Sequence, residues 1–107
     1  MNDFFTPKNH KGFKAILLSS ELDEEIKDCA IAFIQPGGGG PTPDHSHLHD
    51  HLFTVISGSI EISQANERKQ LHTGMSMIVR GESPHSVWNI GTDTAKVMGI
   101  SISRNSI

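Results

Sequence analysis

Cysteine is almost missing from this chain. Among its 107 residues only Cys29 carries a thiol, so no intrachain disulfide can form. Its neighbours Ala30 and Ile31 are apolar, and no electropositive setting for a thiolate surrounds it, which marks a small buried side chain rather than a nucleophile. Long hydrophobic runs are absent as well. The apolar run Ala15 to Leu18 is too short for a signal-peptide core or a membrane span, so a membrane is excluded as a partner and the cytoplasm is the expected location. There is no excess of positive charge: nine Lys and Arg against twelve Asp and Glu leave a formal net charge of -3, and the basic residues are scattered. Without a basic stripe to neutralise phosphates, nucleic acid is excluded too. Internal repeats and low-complexity tails are likewise missing.

A length of 107 residues suits a single domain, 1–107, with room for one core. Its apolar runs are short and β-branched, and turn residues interrupt them often, which predicts an all-β domain. Strands are expected over Phe13 to Ser19, Cys29 to Gln35, His51 to Ile56, Ser59 to Ser63, Ser76 to Val79, His85 to Ile90 and Ala95 to Ile102. Turns fall at Ser57-Gly58-Ser59, Ala65 to Glu67, Thr73-Gly74 and Gly91-Thr92-Asp93, where Gly, Asn and Asp accept hairpin backbone angles. Ser20 to Asp28 has weak helical leanings, but five acidic residues surround Leu22 and Ile26, so a solvated loop or single turn is expected. An N-terminal arm, about 1–12, has no strand pattern of its own. Its Phe4 and Phe5 would gain from packing on a second subunit.

What the chain has in quantity is histidine. Four of its seven, His45, His47, His49 and His51, stand at alternate positions just behind Pro36-Gly37-Gly38-Gly39-Gly40-Pro41, a stiffened stretch expected to be a loop feeding the next strand. Side chains at i and i+2 of an extended chain share a face, so several imidazoles can point at one place. The apolar Leu52-Phe53-Thr54-Val55-Ile56 follows at once and ties at least His51 to a buried strand.

The segment 39–58 resembles the first motif of the cupins. Gly39 is followed by five residues and then His45-Ser46-His47; three residues later comes His51, and six after that Gly58. His51 stands where that family usually has glutamate. The segment 74–89 is similar to the second cupin motif, with Gly74, His85 and Asn89 in register, while Arg80 replaces a proline and Glu82 a glycine. The resemblance implies an antiparallel double-stranded β-helix, the jelly-roll or cupin barrel, with one divalent transition metal per chain (Mn, Fe, Ni, Co or Zn) at one end. Carried over residue by residue, the metal ligands are His45, His47, His51 and His85. Small cupins of this kind are similar in forming homodimers, so one is expected here.

An all-imidazole set would change the chemistry. Four neutral histidines leave the full double charge of the ion, which favours an anionic small-molecule ligand and makes the centre a better Lewis acid than the glutamate version. A six-coordinate ion would keep two adjacent positions open, whereas a tetrahedral zinc would be closed and structural.

Period-two counting from His51 and His85 puts Phe53, Val55, Val87 and Asn89 inside the barrel, with Phe53 as a pocket wall, and Trp88 outside on a sheet face or subunit contact. Ile60, Ile62, Met75 and Met77 read as core. Arg80, beside a ligand segment, is a candidate for binding a substrate carboxylate. His49 is a candidate for proton transfer; Glu61 or Glu82 could also serve as a base. His72 reads as a surface turn residue. The leading expectation is a metal-dependent enzyme acting on a small oxygen-rich organic anion, a diketone or enolate dioxygenase first, a metal-assisted isomerase or lyase next. A non-catalytic binding or sensor module, or a purely structural metal barrel, would use the same residues.

Overall fold

The computed structural model describes residues 3–22, 24–45 and 49–103, with the side chains of 43–45 left aside. Among the described residues there is no helix, and hence none long and apolar enough to cross a membrane. The strands are β1 (Phe4–Phe5), β2 (Lys11–Ser20), β3 (Ile26–His45), β4 (Asp50–Ser57), β5 (Ser59–Gln64), β6 (Glu67–His72), β7 (Ser76–Val79), β8 (His85–Asn89) and β9 (Ala95–Ile102). All pairings are antiparallel. The order β6-β5-β8-β3-β9-β4-β7, with β2 on β3 and β1 on β2, closes into a jelly-roll barrel.

The long β3 makes both walls. Its first part, Ile26 to Ile34, pairs with β2 and β9, and its last part, Gly39 to His45, pairs with β8. The glycine stretch expected to be a loop is therefore the corner of this strand. Gly39 takes φ +154°, and a Cβ there would run into the Val87 carbonyl and lie 2.6 Å from the Trp88 ring. Only a residue without a side chain lets the two backbones pass this closely.

Two strands have no counterpart in the sequence reading. β6 is an edge strand whose Glu67 to Gln70 are all exposed, so only Leu71 carries an inward apolar signal. The turn before it has Ala65 and Asn66 at φ 50° and 67°, the left-handed pair a two-residue hairpin requires. β1 gives the N-terminal arm a strand that its sequence pattern does not show: Phe4 and Phe5 pair with Ile16 and Ala15 of β2, and the Phe4 ring meets Phe33 edge-on at 5.7 Å, while both phenylalanines stay about half exposed.

The core is Ile34, Val55, Ile60, Ile62, Leu71, Val79, Val87, Ala95 and Val97, with Phe13, Ala32, Phe53 and Met77 packed against it. Met75, expected in the core, is 46% exposed; its sulfur accepts the His72 amide in the β6–β7 turn. Buried Asn89 ties β8 to its surroundings. Its Nδ2 donates to the Ile34 and Asp93 carbonyls at 2.8 Å each, and its Oδ1 accepts the Gly91 amide at 2.7 Å. Trp88 lies on the outer face, its Nε1 donating to Ser86 Oγ and Lys11 Nζ 5.9 Å from its ring centre.

Candidate functional site

Register places side chains inside the barrel in successive rows. One row runs Asp28, Ser101, His51, Val79 across β3, β9, β4 and β7; the next runs Ala30, Gly99, Phe53, Met77; a third runs Phe5, Ala15, Ala32, Val97, Val55 from β1 to β4. On the facing wall His85 is opposite His45, and Val87 opposite Gly40. Polar groups therefore gather in one layer, with alanine, glycine and phenylalanine beyond them.

The small residues leave space. A cavity of about 290 Å³ is bounded by Ala15, Ala30, Ala32 and Gly99 on one side and Val87 and Gly40 on the other, with the phenylalanines Phe5, Phe13 and Phe53 and the polar residues His10, Asp28, His51, His85 and Ser101 in its lining. Its size and largely apolar wall suit a small molecule. A Cβ on Gly99 would come 3.2 Å from Phe53 Cε1, so glycine there lets the phenyl ring lie flat against β9.

Two of the four expected metal ligands are fully described, and they meet. The His51 and His85 rings are 5.8 Å apart, centre to centre, and inclined at 70°. His85 is 3% exposed, and its Nδ1 donates to the Ser83 carbonyl at 2.9 Å, which fixes Nε2 as the lone-pair nitrogen of the neutral ring. His51 Nδ1 is 3.5 Å from Ser101 Oγ, and its ring stacks on Phe53 at 5.1 Å. Both rings line the cavity, each with its Nδ1 beside an oxygen. Of His45 only the backbone is described, opposite His85, and His47 lies outside the described residues. Among the described residues no group of three or more His, Cys, Asp or Glu side chains is gathered for a metal ion.

The remaining candidates scatter. His49 stands beside the site, its ring 4.9 Å from that of His51. Phe53 lines the cavity; Arg80 does not. Arg80 Nη1 donates instead to Asp50 Oδ2 at 3.0 Å, while Asp50 Oδ1 accepts the Gly81 amide at 2.9 Å. Because Asp50 is 1% exposed, this pair anchors the strand carrying His51 to the turn before His85. Glu61 is opposite Trp88 on the outer face, and Glu82 is exposed in that turn, so neither is placed as a base for the cavity. His72 is exposed at the end of β6, bonded through Nδ1 to Ser59 Oγ at 2.8 Å.

Sequence reading missed His10, Asp28, Ser101 and Asp50. For Asp28 the signal would have been its register with Ser101 and His51, which depends on an irregularity between Ile26 and Asp28 that no periodicity reveals.

The fold has many likenesses. A predicted oxalate decarboxylase from Thermotoga maritima superposes with a TM-score of 0.82 at 15% identity, covering 96% of this chain and 92% of that one. KdgF from Halomonas sp. gives 0.76 at 17% identity, covering 96% and 89%, and the polyketide cyclase RemF from Streptomyces resistomycificus gives 0.77 at 14%, covering 95% and 72%. At these identities the likeness speaks for the fold alone. No curated protein matches the sequence. The Cupin_2 cupin-domain family, however, matches residues 30–102, which contain both histidine segments and most of the cavity wall, and the chain belongs to the cupins.

Proposed function

We propose that this chain is a divalent-metal enzyme acting on a small oxygen-rich organic molecule, an anion by preference, with His45, His47, His51 and His85 holding the ion. The observation that carries this reading is the meeting of His51 and His85 at 5.8 Å on the edge of a cavity, each with its Nδ1 turned to an oxygen. An ion held there supplies Lewis acidity and, with a redox-active metal, a route to dioxygen chemistry, so cleavage of a diketone or enolate is the favoured reaction. The chain's own groups bind and orient. Phe53 and Val87 keep water from one side of the ligand, and His49, next to His51, is the candidate to take a proton. A metal-assisted isomerase or lyase would use the same arrangement. The mostly apolar lining favours a second reading, a non-catalytic binding or sensor barrel, in which the same cavity holds a ligand without turnover.

Metal analysis of protein made without a histidine tag is the first test. About one ion per chain is expected, falling to nearly none in His47→Ala and His85→Ala; full metal content in both variants overturns the assignment. Oxygen uptake with pentane-2,4-dione then separates the readings. Uptake supports the enzyme, and binding without uptake or product supports the binding barrel.

A further inference from the structure

An antiparallel sheet that packs one face on a core ordinarily turns polar side chains to solvent on the other. The outer face of β2, β3, β9, β4 and β7 does not. Register puts Phe4, Ile16, Ile31 and Met98 in one row, which turns polar only at Thr54, and Cys29, Ile100, Leu52 and Ile78 in the next. All of these apolar residues are partly or fully exposed, Phe4 by 54% and Ile78 by 46%, and Leu18, at the irregularity in β2, adds 48%. Five strands about 4.8 Å apart, each contributing about seven residues at about 3.3 Å, make a face of roughly 19 by 23 Å. Its plan area, about 440 Å², matches the biggest apolar patches that soluble monomers expose, and side-chain relief brings its accessible surface toward the roughly 800 Å² per partner of a stable interface.

The two ends of this face differ in sign. At one end Lys14 and Lys96 flank Phe33 in a single row, with Lys96 Nζ 5.6 Å from the centre of the Phe33 ring. At the other end the stretch 21–28 carries five acids against one lysine. Glu21 follows β2 directly, and the Ser103 amide donates to the Glu25 carbonyl at 2.7 Å, which sets Glu25 beside the end of β9. Both glutamates are exposed.

Two copies packed through the same face are related by a twofold axis in the plane between them, and the charges choose its direction. An axis along the strands keeps like ends together and sets lysine on lysine and acid on acid. An axis across the strands exchanges the ends, so that Lys14 meets the partner's Glu21 and Lys96 the partner's Glu25, each pair occurring twice by symmetry. We propose that this face binds a second copy of the chain about that second axis, with the apolar rows stacked about 10 Å apart at the centre and the ion pairs at both margins. The dimer is independent of the metal and of what the cavity holds.

Sedimentation velocity of the full chain over a range of micromolar concentrations tests this. Wild type should sediment as a dimer of the 11.7 kDa chain. Met98→Glu, at the centre of the face, should be monomeric with its circular dichroism unchanged. Lys14→Glu combined with Lys96→Glu should raise the dimer Kd by about ten- to a hundredfold, and adding Glu21→Lys and Glu25→Lys should restore most of it. The charge variants also serve if Met98→Glu does not fold. A monomeric wild type, which would leave the face to a different protein, a dimer that Met98→Glu does not disturb, or a charge reversal that the compensating pair does not restore overturns the proposal.

Discussion

Two sides of the barrel interior differ in what fills them. Beyond His51 and Phe53, the two cavity-lining residues of β4, the inward residues Val55, Ile60, Ile62, Leu71 and Val79 from β4 through to β7 are at most 3% exposed, and none of these five lines the cavity. Along β2, β3 and β9 the same ladder carries Ala15, Ala30, Ala32 and Gly99, and there the cavity opens. Both sides are laddered strand to strand, with local register shifts on each. The hollow is therefore set by side-chain volume at a few registered positions, not by a gap in the sheet.

The largest effect should come at the corner that joins the two walls. Gly39→Ala would drive a methyl into the Val87 carbonyl and the Trp88 ring, and urea unfolding should show a loss above about 4 kcal/mol or no folded protein. On the filled side, Ile62→Ala is expected to cost about 2–5 kcal/mol, because its wholly buried site cannot collapse fully around the missing atoms. Arg80→Ala, which removes the cation beside buried Asp50, should cost about 1–3 kcal/mol and loosen the His51–His85 layer, measured as weaker metal retention during dialysis. The smallest stability change is expected for Ala32→Val on the hollow side, within about 1 kcal/mol, since the added methyls enter open space. If that variant destabilises the fold as much as Ile62→Ala does, the contrast between the two sides is lost.

Much of this architecture is visible in the sequence where burial and β-branching coincide. Ile60 and Ile62 announce their strand because each is apolar and flanked by polar neighbours, and Val55 and Val87 announce theirs as members of short β-branched or aromatic runs. β6 stays hidden because its exposed edge replaces that alternation with Glu67, Arg68, Lys69 and Gln70. The strand through Gly37 to Gly40 is hidden for another reason: glycine has no side chain to register, so its pairing shows only when Trp88 and Val87 are brought beside it. Of the site, the spacing that yields His51 and His85 is local and readable within its two segments. His10 is not readable, because its place beside Gly40 depends on a turn that closes over the barrel from thirty residues away. Arg80 looked like a ligand-binding cation because the acid that engages it, Asp50, lies on another strand.

β3 spans 20 residues and is hydrogen-bonded to β2, β8 and β9, so one backbone serves as a beam for both walls. A beam shared in this way removes the option of opening like a clam. Its paired amides from Asp28 to Ile34 should exchange with solvent only when the whole domain unfolds, whereas β1, two residues long and laddered to β2, should exchange by local fraying. Since Phe5 belongs to both that short strand and the cavity lining, the cavity wall is least firmly held at this N-terminal hem.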